Sequence, residues 1–335
     1  MRKFTNLSFF SIFLAFTSAC IAQNHAADLP TDKLLSEPGP TFKVAVEGPL
    51  SFIAFGDQRF TDPANVTATN PLVRKWFVDR IAEEKPSAVF LNGDVPLDGS
   101  NTNDYAVYKD ETLPWRNAKL NVFPALGNHE FHGPDAQKCL ENWWNAFPEL
   151  RNRRWYSIQL GARIYAINLD SDASLLPASD QYNWLAKQIS DLPSSVDFVL
   201  LSLHHPPSAD IQKHIEVDHN PRPNEIALRD YLSSIQGQSH ARFIVSAGHI
   251  HNYERHLVDN VTYLVSGGGA AKPYYVERTP DDLYKSDMFP IYHYVKFELL
   301  PDRLKATMFR IKNPEDAQFS LEAKDSFEIL AKPHQ

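Results

Sequence analysis

Short apolar runs that stop at a glycine beside a metal-coordinating side chain recur along this chain, and they restrict its fold more than any other feature. Phe55-Gly56-Asp57, Asn92-Gly93-Asp94, Gly127-Asn128-His129-Glu130, Leu203-His204-His205-Pro206 and Gly248-His249-Ile250-His251 each stand where a predicted strand ends. Apolar strands separated by stretches of helical spacing belong to parallel sheets covered by helices. In such sheets, residues beyond the carboxyl ends of different strands meet at one rim. No single segment has donors enough for two metals, whereas all of them together do. Asp, Asn and His in combination suit zinc, iron or manganese.

The alternation starts at Leu50. Strands are predicted over Ser51 to Phe55, Ala88 to Leu91, Asn121 to Ala125, Trp155 to Leu160, Ala162 to Leu169, Asp197 to Leu203, Arg242 to Ser246 and Val261 to Val265. Helices are predicted over Pro71 to Glu84, with Asn70 as cap and Pro71 at the first position, and over Asp104 to Leu113, Ala136 to Phe147, Ser179 to Leu192 and Pro223 to Ile235. Tyr292 to Leu300 and Leu304 to Ile311 alternate like a hairpin, which argues for a second sheet beside the parallel one. The boundaries expected are a signal peptide over 1–22, a flexible leader over 23–49, one catalytic-type domain over 50–320 and a C-terminal tail over 321–335.

With 335 residues, 43% of them apolar, the chain can bury a large core. Its net charge of −8 carries no nucleic-acid footprint, so an anionic substrate needs local positive charge. Arg2 and Lys3 followed by the apolar stretch Phe9 to Phe16 read as an export signal, too short to span a bilayer. Two processing routes fit. Cleavage after Ala22 gives a secreted or periplasmic protein, whereas Ser18-Ala19-Cys20 resembles a lipoprotein site, with Cys20 as the membrane anchor and Thr17 where Leu is usual. Cys139 is the only other cysteine, so no internal disulfide is expected. Nothing in the sequence fixes the oligomeric state.

Glycine lets the backbone turn sharply after a strand, so Asp57 and Asp94 can project their carboxylates from the strand ends. A carboxylate has two oxygens and can bridge two cations, a role assigned to Asp94. Asn128 offers an amide oxygen, His129 is aimed elsewhere and can face substrate, and Glu130 is expected to hold the His129 imidazole. Pro206 and Pro207 pre-order the loop carrying His204 and His205. His249 and His251, two residues apart, share one side if extended, each serving a different cation. Trp143, Trp144, Tyr274 and Tyr275 either line a pocket or pack in the core and loops.

The ordered set Gly-Asp, Gly-Asp, Gly-Asn-His-Glu, His-x-Pro and Gly-His-x-His-x-Tyr-Glu-Arg resembles the calcineurin-like metallophosphoesterases. Gly248 to Arg255 and Asp180-Gln181-Tyr182-Asn183-Trp184-Leu185 are most similar to the purple acid phosphatase branch. The resemblance implies a four-layer α/β/β/α sandwich with two mixed β-sheets. It implies two di- or trivalent metal ions (iron, zinc or manganese), the first on Asp57, Asp94 and His251, the second on Asp94, Asn128, His204 and His249. It also implies hydrolysis of a small-molecule phosphate ester by in-line attack of a metal-bridging hydroxide, with Asp94 and His129 catalytic and His129 facing substrate; Arg59 and His205, which stand beside the motif residues, are further candidates for contact with substrate.

Two positions depart from the pattern. Leu97 stands where purple acid phosphatases carry Tyr, so the charge-transfer colour is not expected and a ferric preference is weakened. Asp57-Gln58-Arg59 replaces the frequent Asp-x-His, leaving the first metal with three obvious ligands. Gln58 or water could complete that shell, and Arg59 either grips phosphate or partly replaces the metal's charge. These departures motivate a rival reading: a degraded-site homologue that binds a phosphorylated ligand with little or no turnover. A hydrolase of non-phosphate esters is a third.

Overall fold

The computed structural model describes residues 41–213, 219–286, 288–289 and 291–333. The expected signal peptide, most of the leader and Cys20 lie outside them, and no described helix is long and apolar enough to cross a membrane.

Two mixed sheets form the centre. The first runs β13-β12-β11-β2-β3-β4 and the second β1-β5-β6-β7-β8-β10-β9. In the first, β2 (Ser51–Phe55), β3 (Ala88–Leu91) and β4 (Val122–Pro124) are parallel, and β11 (His293–Leu299), β12 (Arg303–Ile311) and β13 (Leu321–Leu330) continue from β2 as an antiparallel meander. In the second, β6 (Ile164–Asn168), β7 (Phe198–Leu203), β8 (Arg242–Ala247) and β10 (Val261–Ser266) are parallel. Here β1 (Thr41–Val44) and β5 (Tyr156–Leu160) flank one edge and β9 (Tyr253–Val258) the other.

Side-chain parity makes the four layers. Phe198 and Leu200 of β7 join the core shared with the first sheet, while Val199, Leu201 and Leu203 join a second core with Trp184, Leu185, Leu228 and Leu232. Those last four come from α5 (Asp180–Ser190) and α6 (Pro223–Gln236), the outer layer of the second sheet. Between the sheets, Phe123 packs against Tyr156 at 6.5 Å, and the Tyr156 hydroxyl donates to the Pro124 carbonyl. Outside the first sheet lie α1 (Pro71–Glu84), α2 (Thr102–Glu111), α3 (Leu113–Asn117) and α4 (Ala136–Ala146), with Phe77 of α1 edge-on to Phe55. As expected, Asn70 caps α1, accepting from the amides of Leu72 and Val73, with Pro71 at its first position.

The described part of the expected leader and the expected tail are more structured than expected. Thr41 to Val44, inside the expected leader, pairs with β5 as an edge strand. The expected tail over 321–335 contributes β13, paired along its length with β12. Neither strand has a fully buried position, but both alternate: Phe42 and Val44 in β1, and Leu321, Phe327 and Ile329 in β13, pack half-buried against the core, so the strand signal was present in the sequence and was passed over. The strand β9 was also not foreseen: Tyr253 and Arg255 face the other sheet, and the opposite face buries Glu254 and His256 in place of apolar residues.

Candidate metal centre

The parallel strands β2, β3, β4, β7 and β8 all end at one rim, on the seam between the sheets, and the polar segments meet there. His249 donates its backbone N–H to Asp57 Oδ2 (2.9 Å), and His129 donates its own to Asp94 Oδ1 (3.0 Å). Asp57, Asp94 and His249 have φ of 64°, 54° and 70°, the left-handed region that non-glycine residues rarely adopt. The backbone turns hard after each strand and aims these side chains back over the rim. Gly127 and Gly248 leave room for this: a Cβ on either would stand 2.5 Å from Asp94 Oδ1 or 2.6 Å from Asp57 Oδ2.

Lone pairs gather in two places. His204 donates from Nδ1 to the Asn92 carbonyl (2.9 Å), which leaves Nε2 as a lone-pair donor. That nitrogen lies 2.9 Å from Asn128 Oδ1, 3.2 Å from Asp94 Oδ1 and 3.2 Å from His249 Nδ1. The carboxylate and amide oxygens carry no proton to give it, and His249 Nδ1, also 3.2 Å from Asn128 Oδ1, is the one of these neighbours that can donate, so lone pairs outnumber protons at this point. On the other side, His251 donates from Nδ1 to the Lys272 carbonyl (2.8 Å). Its Nε2 and Asp57 Oδ1 are 3.4 Å apart, buried, and without hydrogen-bond partners. Partnerless acceptors on the Asp57 side of Asp94, and crowded lone pairs on the His204 side, are the arrangement that a pair of cations would satisfy.

The electrostatics agree with that donor set. Burial pushes Asp57 up to about 7, against the opposing pull of His204. Burial acts on Asp94 in the same direction, but the charges of His129, His204 and Arg59 outweigh it and hold this carboxyl well below the usual range. Burial drives His251 and His129 down to about 3, and drives His205 and His249 well below the ordinary histidine value, aided by neighbouring cationic groups. Neutral imidazoles beside carboxylates are the protonation states that metal binding requires.

The surrounding residues are close by. Arg59 donates from Nη2 to Asp94 Oδ2 at 3.1 Å. His129 bonds through Nδ1 to the Leu97 carbonyl, and its Nε2 is 3.8 Å from Asp94 Oδ2. The His205 ring lies 4.2 Å from that of His249, and its Nδ1 is 2.9 Å from Ser171 Oγ. Gln58 donates its amide to the Phe55 carbonyl and leaves Oε1 buried without a partner.

Two expectations need correction. Glu130 does not hold His129; it accepts the backbone N–H groups of Asp94, Val95 and Gly127 at 2.8–3.0 Å and so ties two loops together. His249 and His251 are not extended neighbours: the positive φ at His249 turns the backbone, so that His249 meets Asn128 and His204 while His251 meets Asp57. Trp143 and Trp144 are core residues, whereas Tyr274 does line the centre, donating its hydroxyl to the His249 carbonyl. His219 was missed. Its Nδ1 is 2.9 Å from His249 Nε2 and its ring stacks on Tyr274, yet a lone histidine in a proline-rich loop carries no sequence signal.

Two mixed sheets with this strand order, and a rim of Asp, Asn and His at their shared end, define a metallophosphoesterase-type sandwich. The family model for calcineurin-like phosphoesterases matches residues 68–253. The chain belongs to that family. The matched stretch contains Asp94, Asn128, His204, His249 and His251; Asp57 precedes it. The purple acid phosphatase PPD1 from yellow lupin seeds is similar in structure, with a TM-score of 0.68 and 18% identity over 86% of this chain and 55% of that one. The chain thus spans about half the length of that protein. PhoD follows with a TM-score of 0.60 and 12% identity over 88% and 73% of the two chains. A dimetal phosphatase from Danio rerio gives 0.55 and 14% over 82% and 99%. No curated protein matches the chain.

Proposed function

We propose that the chain is an exported, dinuclear metal-dependent phosphoesterase. The observation that carries this reading is the meeting of six donor side chains, from five separate segments, with Asp57 Oδ1 and His251 Nε2 left without partners on one side of Asp94 and the lone pairs of Asn128, His204 and His249 crowded on the other. Asp57, Asp94 and His251 would hold one cation and Asp94, Asn128, His204 and His249 the other. Once bound, such a pair makes hydroxide available near neutral pH and offsets the charge that grows on a phosphoryl group. Iron, zinc and manganese all fit the donors.

The remaining residues handle the substrate. Arg59 sits against the bridging carboxylate and can present its remaining N–H groups to a phosphate oxygen. His129 is oriented by the Leu97 carbonyl, with Nε2 toward the centre. Burial holds this imidazole down at about 3, so it can donate to the departing ester oxygen only once the charge of a bound phosphate raises it. His205 lines the same wall beside His249. Water attacks phosphorus in line, and no side chain becomes phosphorylated. The substrate class is a small phosphate ester, monoester or diester.

The test is hydrolysis of p-nitrophenyl phosphate and its bis ester, with and without chelator, alongside Asp94→Ala. Turnover that chelator abolishes and added metal returns, and that Asp94→Ala lacks, supports the reading. Equal rates in all arms reject it.

A second reading draws on Arg59. Its guanidinium occupies Asp94 Oδ2 and weakens the first cation's claim to that oxygen, as in a protein that binds a phosphorylated ligand with little turnover. Metal binding by Arg59→Ala separates the two. A rise of one equivalent over the unaltered chain favours this reading, and an unchanged count favours the dinuclear enzyme.

A further inference from the structure

We propose that Asp210, Glu254 and His256 form a third cation site, for a divalent ion of the zinc class, which staples the loop after β7 to β9 and so fixes the carboxylate on which Thr279 of the loop over 272–284 is hung. One carboxylate oxygen from each acid and a ring nitrogen of His256 lie within 4.8 Å of one another, and all three residues are buried. Glu254 and His256 are two apart in extended β9 and share a face, while Tyr253 and Arg255 turn the other way and bind Asp325. None of the three belongs to the main centre.

Two oxygens in this cluster lack hydrogen-bond partners, Asp210 Oδ2 and Glu254 Oε1, on residues with no solvent exposure. The other oxygens are engaged. Asp210 Oδ1 accepts from the Thr279 amide (2.9 Å) and hydroxyl (2.6 Å). Glu254 Oε2 accepts the Asp210 amide at 2.7 Å and lies 3.2 Å from His256 Nε2. The nearest fixed cation does not fill the gap. Arg278 Nη1 stands 4.0 Å from Asp210 Oδ2 and spends its hydrogens on Asp282 Oδ2 and the Tyr253 carbonyl. Burial raises both carboxyls, Glu254 to about 7, and the pull of His256 does not cancel it.

Buried carboxylate oxygens without a partner are costly, and the deficit here is one of positive charge. Two carboxylates with one imidazole suit zinc or manganese better than calcium, which takes oxygen ligands alone. The staple would also serve the main centre, because the strap it fastens carries the Lys272 carbonyl that orients His251 and the Tyr274 hydroxyl that meets the His249 carbonyl. The alternative occupant is a proton: His256 charged and paired with Glu254.

Anomalous diffraction at the zinc edge, on crystals of the full chain equilibrated with zinc, tests this. The expected result is a peak bonded to Asp210, Glu254 and His256 at about 2.0–2.2 Å. No peak among these residues at saturating zinc overturns the proposal, whatever the main centre holds. In solution, His256→Gln should carry one zinc fewer than the unaltered chain, and equal content likewise overturns the proposal. The metal count lost with Asp94→Ala reports on the main centre alone, so the two ideas fail separately.

Discussion

Asp57, Asp94 and His249 keep backbone conformations that cost about 1–3 kcal/mol each, and they hold them because their neighbours leave no alternative. Glu130 is the clearest such neighbour. Its carboxylate collects the amides of Asp94, Val95 and Gly127 and fixes the turn that aims the bridging acid. Glu130→Gln replaces an acceptor oxygen with an NH2 group facing backbone donors. It should lower stability by about 1.5–3 kcal/mol and weaken metal binding, read by urea unfolding and metal titration. Unchanged stability would remove Glu130 from the account. The sequence displayed the residue types at this rim but not their aim. Gly-Asp and Gly-His mark a turn without giving its hand, and the partner of Glu130 depended on where the β3 loop came to rest.

At the scale of elements, α1 is fastened to the sheet by Glu84, which accepts from the Tyr294 hydroxyl and pairs with Lys296 (2.9 Å) and Arg80 (3.0 Å). Burial alone would raise this carboxyl, but the Tyr294 hydrogen bond and the Lys296 contacts outweigh it, and its pKa falls below the ordinary value. A carboxyl whose folded pKa is depressed stabilises above its unfolded pKa and loses that contribution as pH falls through the folded one. Glu84→Gln should therefore lower Tm at pH 7, and the gap between the two proteins should shrink steadily as pH falls below the unfolded glutamate value of about 4.3. A gap of the same size at pH 6 and pH 3 would contradict this.

The edge strand β13 makes a second elemental prediction. Asp325 receives the Arg255 guanidinium through Nε (2.6 Å) and Nη2 (3.1 Å), together with the buried Tyr253 hydroxyl (2.9 Å), and so clasps β13 to β9 of the other sheet. Asp325→Ala leaves both partners unpaired and should cost about 2–3 kcal/mol by denaturant unfolding. Helices and buried strands were legible because their periods are apolar. The strands β1, β9 and β13 were passed over: in β1 and β13 the alternating Phe42, Val44, Leu321, Phe327 and Ile329 are only half-buried, and β9 buries the polar pair Glu254 and His256.

Across the whole molecule, the metal centre belongs to neither sheet alone. The first sheet supplies Asp57, Asp94 and Asn128, and the second supplies His204, His249 and His251, so the donors meet only when the sandwich closes. This explains why convergence was readable from strand order and topology rules while His219, carried by a long loop, was not. Metal content of the purified chain beside Asp94→Ala, at saturating metal, tests the central claim most directly. If Asp94 bridges two cations, the variant holds two fewer equivalents per chain than the unaltered protein. An identical metal content in the two proteins would contradict it.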